Sequence, residues 1–148
     1  MLSIIIPARN ETDNLEDILN YFTGGMEKIK YEVLLINDFS NDDTLKKAEN
    51  LFKFKENFKV FDNKKKGLGG AINLGIEKSS GDKICIMMAD LSDDINDLKK
   101  YVSLMNEKKL DAVLGSRFKK ESIVKDYPLK KLILNRVFNF FVRIIFWN

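Results

Sequence analysis

Short runs of β-branched and other apolar residues alternate along this chain with longer stretches in which apolar side chains recur every three or four positions. The first pattern predicts strands and the second helices, and their alternation predicts βαβ units around a largely parallel sheet. Residues 3–6 read as the first strand, closed by Pro7. Leu15, Ile18, Leu19 and Phe22 follow at helical spacing, with Thr12 placed to cap them. Residues 32–36 form the second strand, which runs into the polar turn 37–40 and a helix carrying Leu45, Ala48 and Leu51; Ser40 and Asp43 stand at capping-box spacing before it. Residues 59–61 are a short third strand, followed by the basic, glycine-rich loop 64–70 and a helix to about Lys78. The fourth strand, 83–88, leads through the acidic stretch 89–94 to a helix through Leu98, Val102 and Met105. A fifth strand is expected at 112–114. From Leu129 to Trp147 the pattern is helical again, with Lys131, Asn135, Arg136, Asn139 and Arg143 on one side and Leu, Ile, Val and Phe on the other.

Composition narrows the chemistry. At 148 residues, 45% hydrophobic and 32% charged, the chain has the make-up of one α/β domain with a substantial core. It contains no histidine, which excludes serine–histidine triads, histidine bases and histidine-bound zinc. Its one cysteine, Cys85, excludes an intrachain disulfide and fits a core position in a reducing compartment. Acids, bases and metal ligands must therefore come mainly from carboxylates. Charge is unevenly placed: residues 1–118 sum to −2 and residues 119–148 to +5. A basic end points to an anionic partner, a phosphate or an anionic membrane surface, with solvated lysines as the plain alternative. The opening residues lack the basic start and cleavage site of a signal peptide, and no apolar run approaches the ~18 residues of a membrane-spanning helix.

In open parallel sheets the ligand crevice lies at the carboxyl ends of the strands. The segments to weigh are thus 7–11, 37–40, 63–70, 89–94 and 115–117. Asp90, Asp93 and Asp94, with Ser92 among them, supply the oxygen ligands that magnesium or manganese prefers. Capping of the next helix is the competing role and suits Asp93 and Asp94 better, which leaves Asp90 for ligand duty. Asp38 stands ready for a ribose or a base. Loop 64–70, before a helix, offers backbone N–H groups and ammonium charge to an anion, or is a solvated turn. It is neither a Walker A loop nor a dinucleotide fingerprint.

Taken in order, these segments resemble glycosyltransferase family 2. Ser3-Ile-Ile-Ile-Pro-Ala-Arg-Asn-Glu11 is similar to its opening strand and P-x-Y-N-E loop. Leu34-Leu-Ile-Asn-Asp-Phe-Ser-Asn-Asp-Asp-Thr44 is similar to its V-D-D-x-S-x-D-x-T turn, and Lys66-Gly-Leu-Gly-Gly-Ala-Ile-Asn-Leu-Gly75 to its G-x-G-x-A-x-N-x-G segment. Met88-Ala-Asp-Leu-Ser92 stands where the D-A-D-L metal motif stands, and Gly115-Ser-Arg-Phe118 where an acceptor-side arginine does. Three residues depart from the pattern: Arg9 for tyrosine, Asn37 for the first aspartate of the turn, and Met88 for the first aspartate of D-A-D.

The resemblance implies an α/β fold of the GT-A type, a Rossmann-like, mostly parallel sheet flanked by helices, with residues 1–118 as the nucleotide-sugar-binding core. Residues 119–148 form a basic linker and a C-terminal amphipathic helix, and since family members run on further, truncation is expected. It implies a metal-dependent hexosyltransferase, within the group of polyprenyl-phosphate glycosyltransferases, that moves a sugar with inversion from a UDP- or GDP-linked donor. Pro7, Arg9, Glu11, Ile36, Asp38 and Gly67 would line the nucleotide pocket, with Met88, Ala89 and Asp90 at the diphosphate. Asp90, helped by Ser92, would hold Mg2+ or Mn2+, and Arg117 would face the phosphates. A polyprenyl phosphate acceptor is already anionic and needs no strong base, whereas a hydroxyl acceptor would call on Asp93 or Asp94.

The aromatic-rich last helix fits either core docking or a membrane interface, so the expected place is the cytoplasmic face of a membrane. No nucleic-acid partner is expected. The readings weighed against transfer are a nucleotide-sugar-binding remnant or membrane-docked partner without full activity, favoured by Met88, and a nucleotidyltransferase, disfavoured by the lack of glycines after the first strand.

Overall fold

A computed structural model describes residues 1–26, 28–116 and 128–146. Four parallel strands, β1 (Leu2–Ala8), β2 (Tyr31–Asn37), β3 (Phe58–Asp62) and β4 (Lys83–Ile86), form one sheet in the order β3-β2-β1-β4. Between them run α1 (Leu15–Thr23), α2 (Thr44–Phe52) and α3 (Leu68–Lys78), and α4 (Ile95–Lys108) follows β4. Strand order reverses between β1 and β4, the topological switch at which such sheets open a crevice.

The period of two along β1 and β2 sorts their side chains between the faces. Leu2, Ile4, Ile6 and Ala8 of β1 join Val33 and Leu35 of β2 in a core closed by Leu15, Ile18 and Phe22 of α1, Ala48 and Phe52 of α2 and Leu98 of α4. Ile5, Leu34 and Ile36 face the other way, onto Ala71 of α3. Helix α3 lies so close to the sheet that a Cβ at Gly75 would stand 2.4 Å from a methyl of Ile5. Both central strands are therefore continuously buried, as expected for a sheet covered on both faces. At the entry end of the strands, buried Glu32 accepts hydrogen bonds from the Ser3 hydroxyl (2.6 Å), the Ser80 N–H (2.6 Å) and Lys59 Nζ (2.8 Å). Burial by itself would raise its pKa, but these donors, Lys59 foremost, outweigh it and bring the carboxyl down to about 2.

Several boundaries differ from those read in the sequence. Thr12 does not cap α1: residues Thr12–Asn14 form a turn of 3-10 helix, and the Thr12 hydroxyl donates to Asp42 at 2.6 Å. Ser40 is not a cap either, because α2 starts four residues later. The fourth strand stops at Ile86. Among the described residues no strand forms at 112–114, a run of three apolar residues that is short for a strand.

The chain divides into two compact units, Met1–Lys109 and Leu110–Asn148. The second contains the expected C-terminal helix, α5 (Leu129–Phe146), none of whose residues is buried. No helix among the described residues is long and apolar enough to cross a membrane.

Candidate functional site

The loops leaving β1 and β2 are stitched together. Asn10 N–H donates to Ser40 Oγ at 3.0 Å, Asn41 N–H to Asn10 Oδ1 at 2.8 Å, and Glu11 N–H to Thr44 Oγ1 at 2.9 Å. Asp42 completes the seam by accepting from the hydroxyls of Thr12 and Thr44, at 2.6 and 2.5 Å, and from the Thr44 N–H at 3.1 Å. Desolvation would raise the Asp42 pKa, but the two threonines outweigh it and lower it to about 2. None of these roles was read from the sequence. The only trace is the spacing of Asp42 and Thr44 after Ser40, which recurs in the motif without saying what it does.

Asp38 ties the second loop to the third. Its N–H donates to the Ala8 carbonyl at 2.8 Å, while its carboxylate accepts from Asn63 Nδ2 at 2.8 Å and from the Gly67 N–H at 2.9 and 3.1 Å. Gly67 precedes the first turn of α3 with φ 112°, so the carboxylate sits against the positive end of that helix. Asn63 also grips Lys65, donating to its carbonyl and accepting from its N–H. Loop 64–70 is thus an ordered cradle, and a Cβ at Gly70 would run into the Lys65 carbonyl at 1.8 Å. Asp38 is less open to a ligand than its place in the turn implied.

Beyond β4, Met87 and Ala89 are buried, whereas Met88 and Asp90 are exposed. Asp90 Oδ1 accepts the Ser92 N–H at 3.0 Å, which turns the chain toward α4. Asp94 caps α4 by accepting the Asn96 N–H at 2.7 Å, as expected of it. The carbonyl of Asp93 accepts the Tyr21 hydroxyl. Asn10, Phe39 and Leu91, one in each of three strand-end loops, hold φ between 52° and 58°. For bulky Phe39 and Leu91 that conformation is costly, and such strain gathers where a site is held in shape.

Other expected site residues are placed differently. Ile36 is fully buried beneath α3, and Pro7 and Ala89 are buried too, so only their main chains can reach a ligand. Pro7 and Ile36 belong to strands covered on both faces, and Ala89 lies in the turn after β4. Arg9 is exposed, and Glu11 is held by Asn14 Nδ2 at 2.6 Å. Arg117 lies outside the described residues.

Among the described residues no three carboxylates or thiols converge as a metal cage. Asp90 would offer magnesium or manganese a single exposed carboxylate, one oxygen of which accepts the Ser92 N–H. A cavity of about 400 Å3 beside the β2 turn is lined by Asn37, Phe39, Asp42, Asp43, Glu49 and Asp62 among others. Its four carboxylates, against the one ammonium of Lys46, disfavour a phosphate there.

The family model described as glycosyl transferase family 2 matches residues 3–147. A dolichol-phosphate mannosyltransferase of Pyrococcus furiosus is 29% identical over 135 residues, 91% of this chain and 38% of that protein. The glycosyltransferase AglE of Haloferax volcanii is 32% identical over 117 residues, 78% of this chain and 38% of that one. The chain thus spans well under half the length of these relatives. Among solved structures, residues 1–349 of S. aureus TarS share the fold with TM-score 0.62 at 22% identity, over 80% of this chain and 40% of that one, and the same protein has been solved in complex with UDP with an equal score.

Proposed function

The chain belongs to glycosyltransferase family 2, and on that premise we propose that it binds the nucleoside diphosphate of a UDP- or GDP-linked sugar at the carboxyl edge of its sheet and serves transfer of the sugar to a polyprenyl phosphate. The observation that carries this reading is the union of the loops after β2 and β3 through Asp38, Asn63 and Gly67 at the carboxyl edge of the sheet. Similarity to the Pyrococcus mannosyltransferase supports a lipid-phosphate acceptor, and the UDP complex of TarS supports a nucleotide donor.

In this reading a phosphate oxygen of the acceptor attacks the anomeric carbon from the face opposite the leaving group. The bond from that carbon to the diphosphate oxygen breaks, and the nucleoside diphosphate departs with inversion. Since Asp38 takes the Gly67 N–H, the diphosphate is proposed to be held by the ammonium groups of Lys64, Lys65 and Lys66 in the loop before α3. Bound at Asp90, a magnesium or manganese ion would supply offsetting charge where the leaving group becomes more negative. Arg117 is proposed to add a second positive charge there. For a hydroxyl acceptor Asp93 is the better base, because Asp94 is engaged in capping.

Helix α5 is proposed to lie in an anionic membrane interface. Its apolar residues, among them Phe138, Phe140, Phe141 and Ile145, are exposed beside Lys131, Arg136 and Arg143. Met88 at a metal-motif position favours a second reading, a chain that binds the donor without turning it over.

A thermal-shift panel of UDP, GDP and their sugar conjugates, each with manganese or chelator, tests donor binding. Stabilisation by one nucleotide, larger with manganese, is the expected result, and none by any of them would overturn the proposal. Product formation from that donor and a short-chain polyprenyl phosphate then separates transfer from binding alone.

A further inference from the structure

The ends of β2 and β3 are locked by a crossed pair of side-chain bonds. Asn37 and Asp62 stand opposite each other in the parallel register, and Asn37 Nδ2 donates to Asp62 Oδ1 at 2.7 Å. One residue on, amide and carboxylate change strands, for Asn63 Nδ2 donates to Asp38 Oδ1 at 2.8 Å. Between the two, the Asn63 N–H donates to the Asn37 carbonyl at 2.8 Å. Neighbouring residues of an extended chain point to opposite faces, so the Asn37–Asp62 bond lies on the face of Val33 and Leu35 and the Asn63–Asp38 bond on the α3 face. Only the second of them continues, through Lys65 and Gly67, into loop 64–70.

We propose that Asn37 and Asp62 are positioning residues for the nucleotide-sugar donor. By fixing the exit of β3 one residue before Asn63, they set Asn63, and through it Asp38 and the lysines at 64–66, in the binding arrangement. The inference rests on the donor site proposed above.

The surroundings of residue 37 require an amide. Asn37 is 4% exposed, and its Oδ1 accepts from no group among the described residues. An aspartate there would set one oxygen against the Asp62 carboxylate and leave the other without a donor, beside a cavity already lined by Asp42, Asp43 and Glu49 with Lys46 as its one ammonium. Asparagine thus stands where the family's turn has an aspartate because this chain carries Asp62 opposite it.

Three variants of the whole chain test the proposal: Asn37→Asp, which sets two carboxylates together; Asp62→Ala, which removes the acceptor at an exposed position and so spares the fold; and Asn37→Asp with Asp62→Asn, which restores one amide and one carboxylate. Amide exchange at Gly67 and Leu34 is read alongside Kd for UDP and GDP by calorimetry on the folded chain. In both single variants Gly67 is expected to exchange roughly tenfold faster while Leu34, inside β2, keeps its wild-type rate, and nucleotide binding weakens by roughly tenfold. The exchanged pair is expected to recover both to within about threefold. A merely structural role would speed exchange at Leu34 as well and leave Kd of the folded chain unchanged, which would overturn the positioning role. So would an exchanged pair no better than Asn37→Asp. A wild-type chain that binds neither nucleotide would overturn the donor reading and this role with it, whereas wild-type binding that both single variants retain overturns the role alone.

Discussion

The carboxylate of Asp38 accepts the Gly67 N–H with both of its oxygens, at 2.9 and 3.1 Å, and so anchors the start of α3 to the end of β2. Nearly buried, it joins the turn after one strand to the cradle after the next. Asp38→Ala is expected to cost about 2 kcal/mol in urea unfolding, because it strips charge-assisted bonds from Asn63 and Gly67. It should also abolish nucleotide-dependent stabilisation. Full retention of nucleotide binding in that variant would detach the cradle from the donor site.

Asp90 and Asp94 lie four residues apart with separate duties. Asp94→Ala removes the cap of α4 and should lower stability by about 1 kcal/mol, with donor binding kept. Asp90→Ala should change stability by less than ~0.5 kcal/mol, as surface substitutions do, yet erase the difference between manganese and chelator in the thermal-shift panel. Reversed phenotypes would show the two assignments to be interchanged.

Glu32 and Asp42 are expected to contribute to acid sensitivity. Both have folded-state pKa values lowered to about 2 from the usual 4.5 and 3.8. Their contribution to stability is therefore present above the unfolded values and is lost as pH falls from about 4.5 toward 2. Glu32, buried beside Lys59, should dominate. Glu32→Gln is expected to flatten the stability profile across that window, measured by urea unfolding at stepped pH, and an unchanged slope would remove Glu32 from the account.

Helix α5 carries exposed apolar and cationic residues together. The chain is expected to co-sediment with phosphatidylserine vesicles at low salt and to release at high salt, with each cation near the leaflet contributing roughly 1 kcal/mol. Protein remaining in the supernatant at low salt would rule out the interfacial role.

Much of the fold was legible along the chain. Residues 32–36 and 83–88 were read as strands and the stretch after loop 64–70, to about Lys78, as a helix, because strand and helix periods are local consequences of burial on one or two faces. The same locality explains the failures at Thr12 and Ser40. Each has the side chain of a cap, but Thr12 turns to Asp42, thirty residues away, and Ser40 receives the Asn10 N–H. A cap is decided by which donor arrives first in space, and sequence order does not contain that.

The candidate site divides in the same way. The order of the motifs was enough to mark the strand-end segments and the family they resemble, because both follow from residue type and spacing. The partners of Asp38, the seam through Asp42 and the burial of Ile36 emerged from packing. Each depends on distances between segments remote in sequence, and those distances are set by how far α3 reaches across the sheet and by the strand order β3-β2-β1-β4.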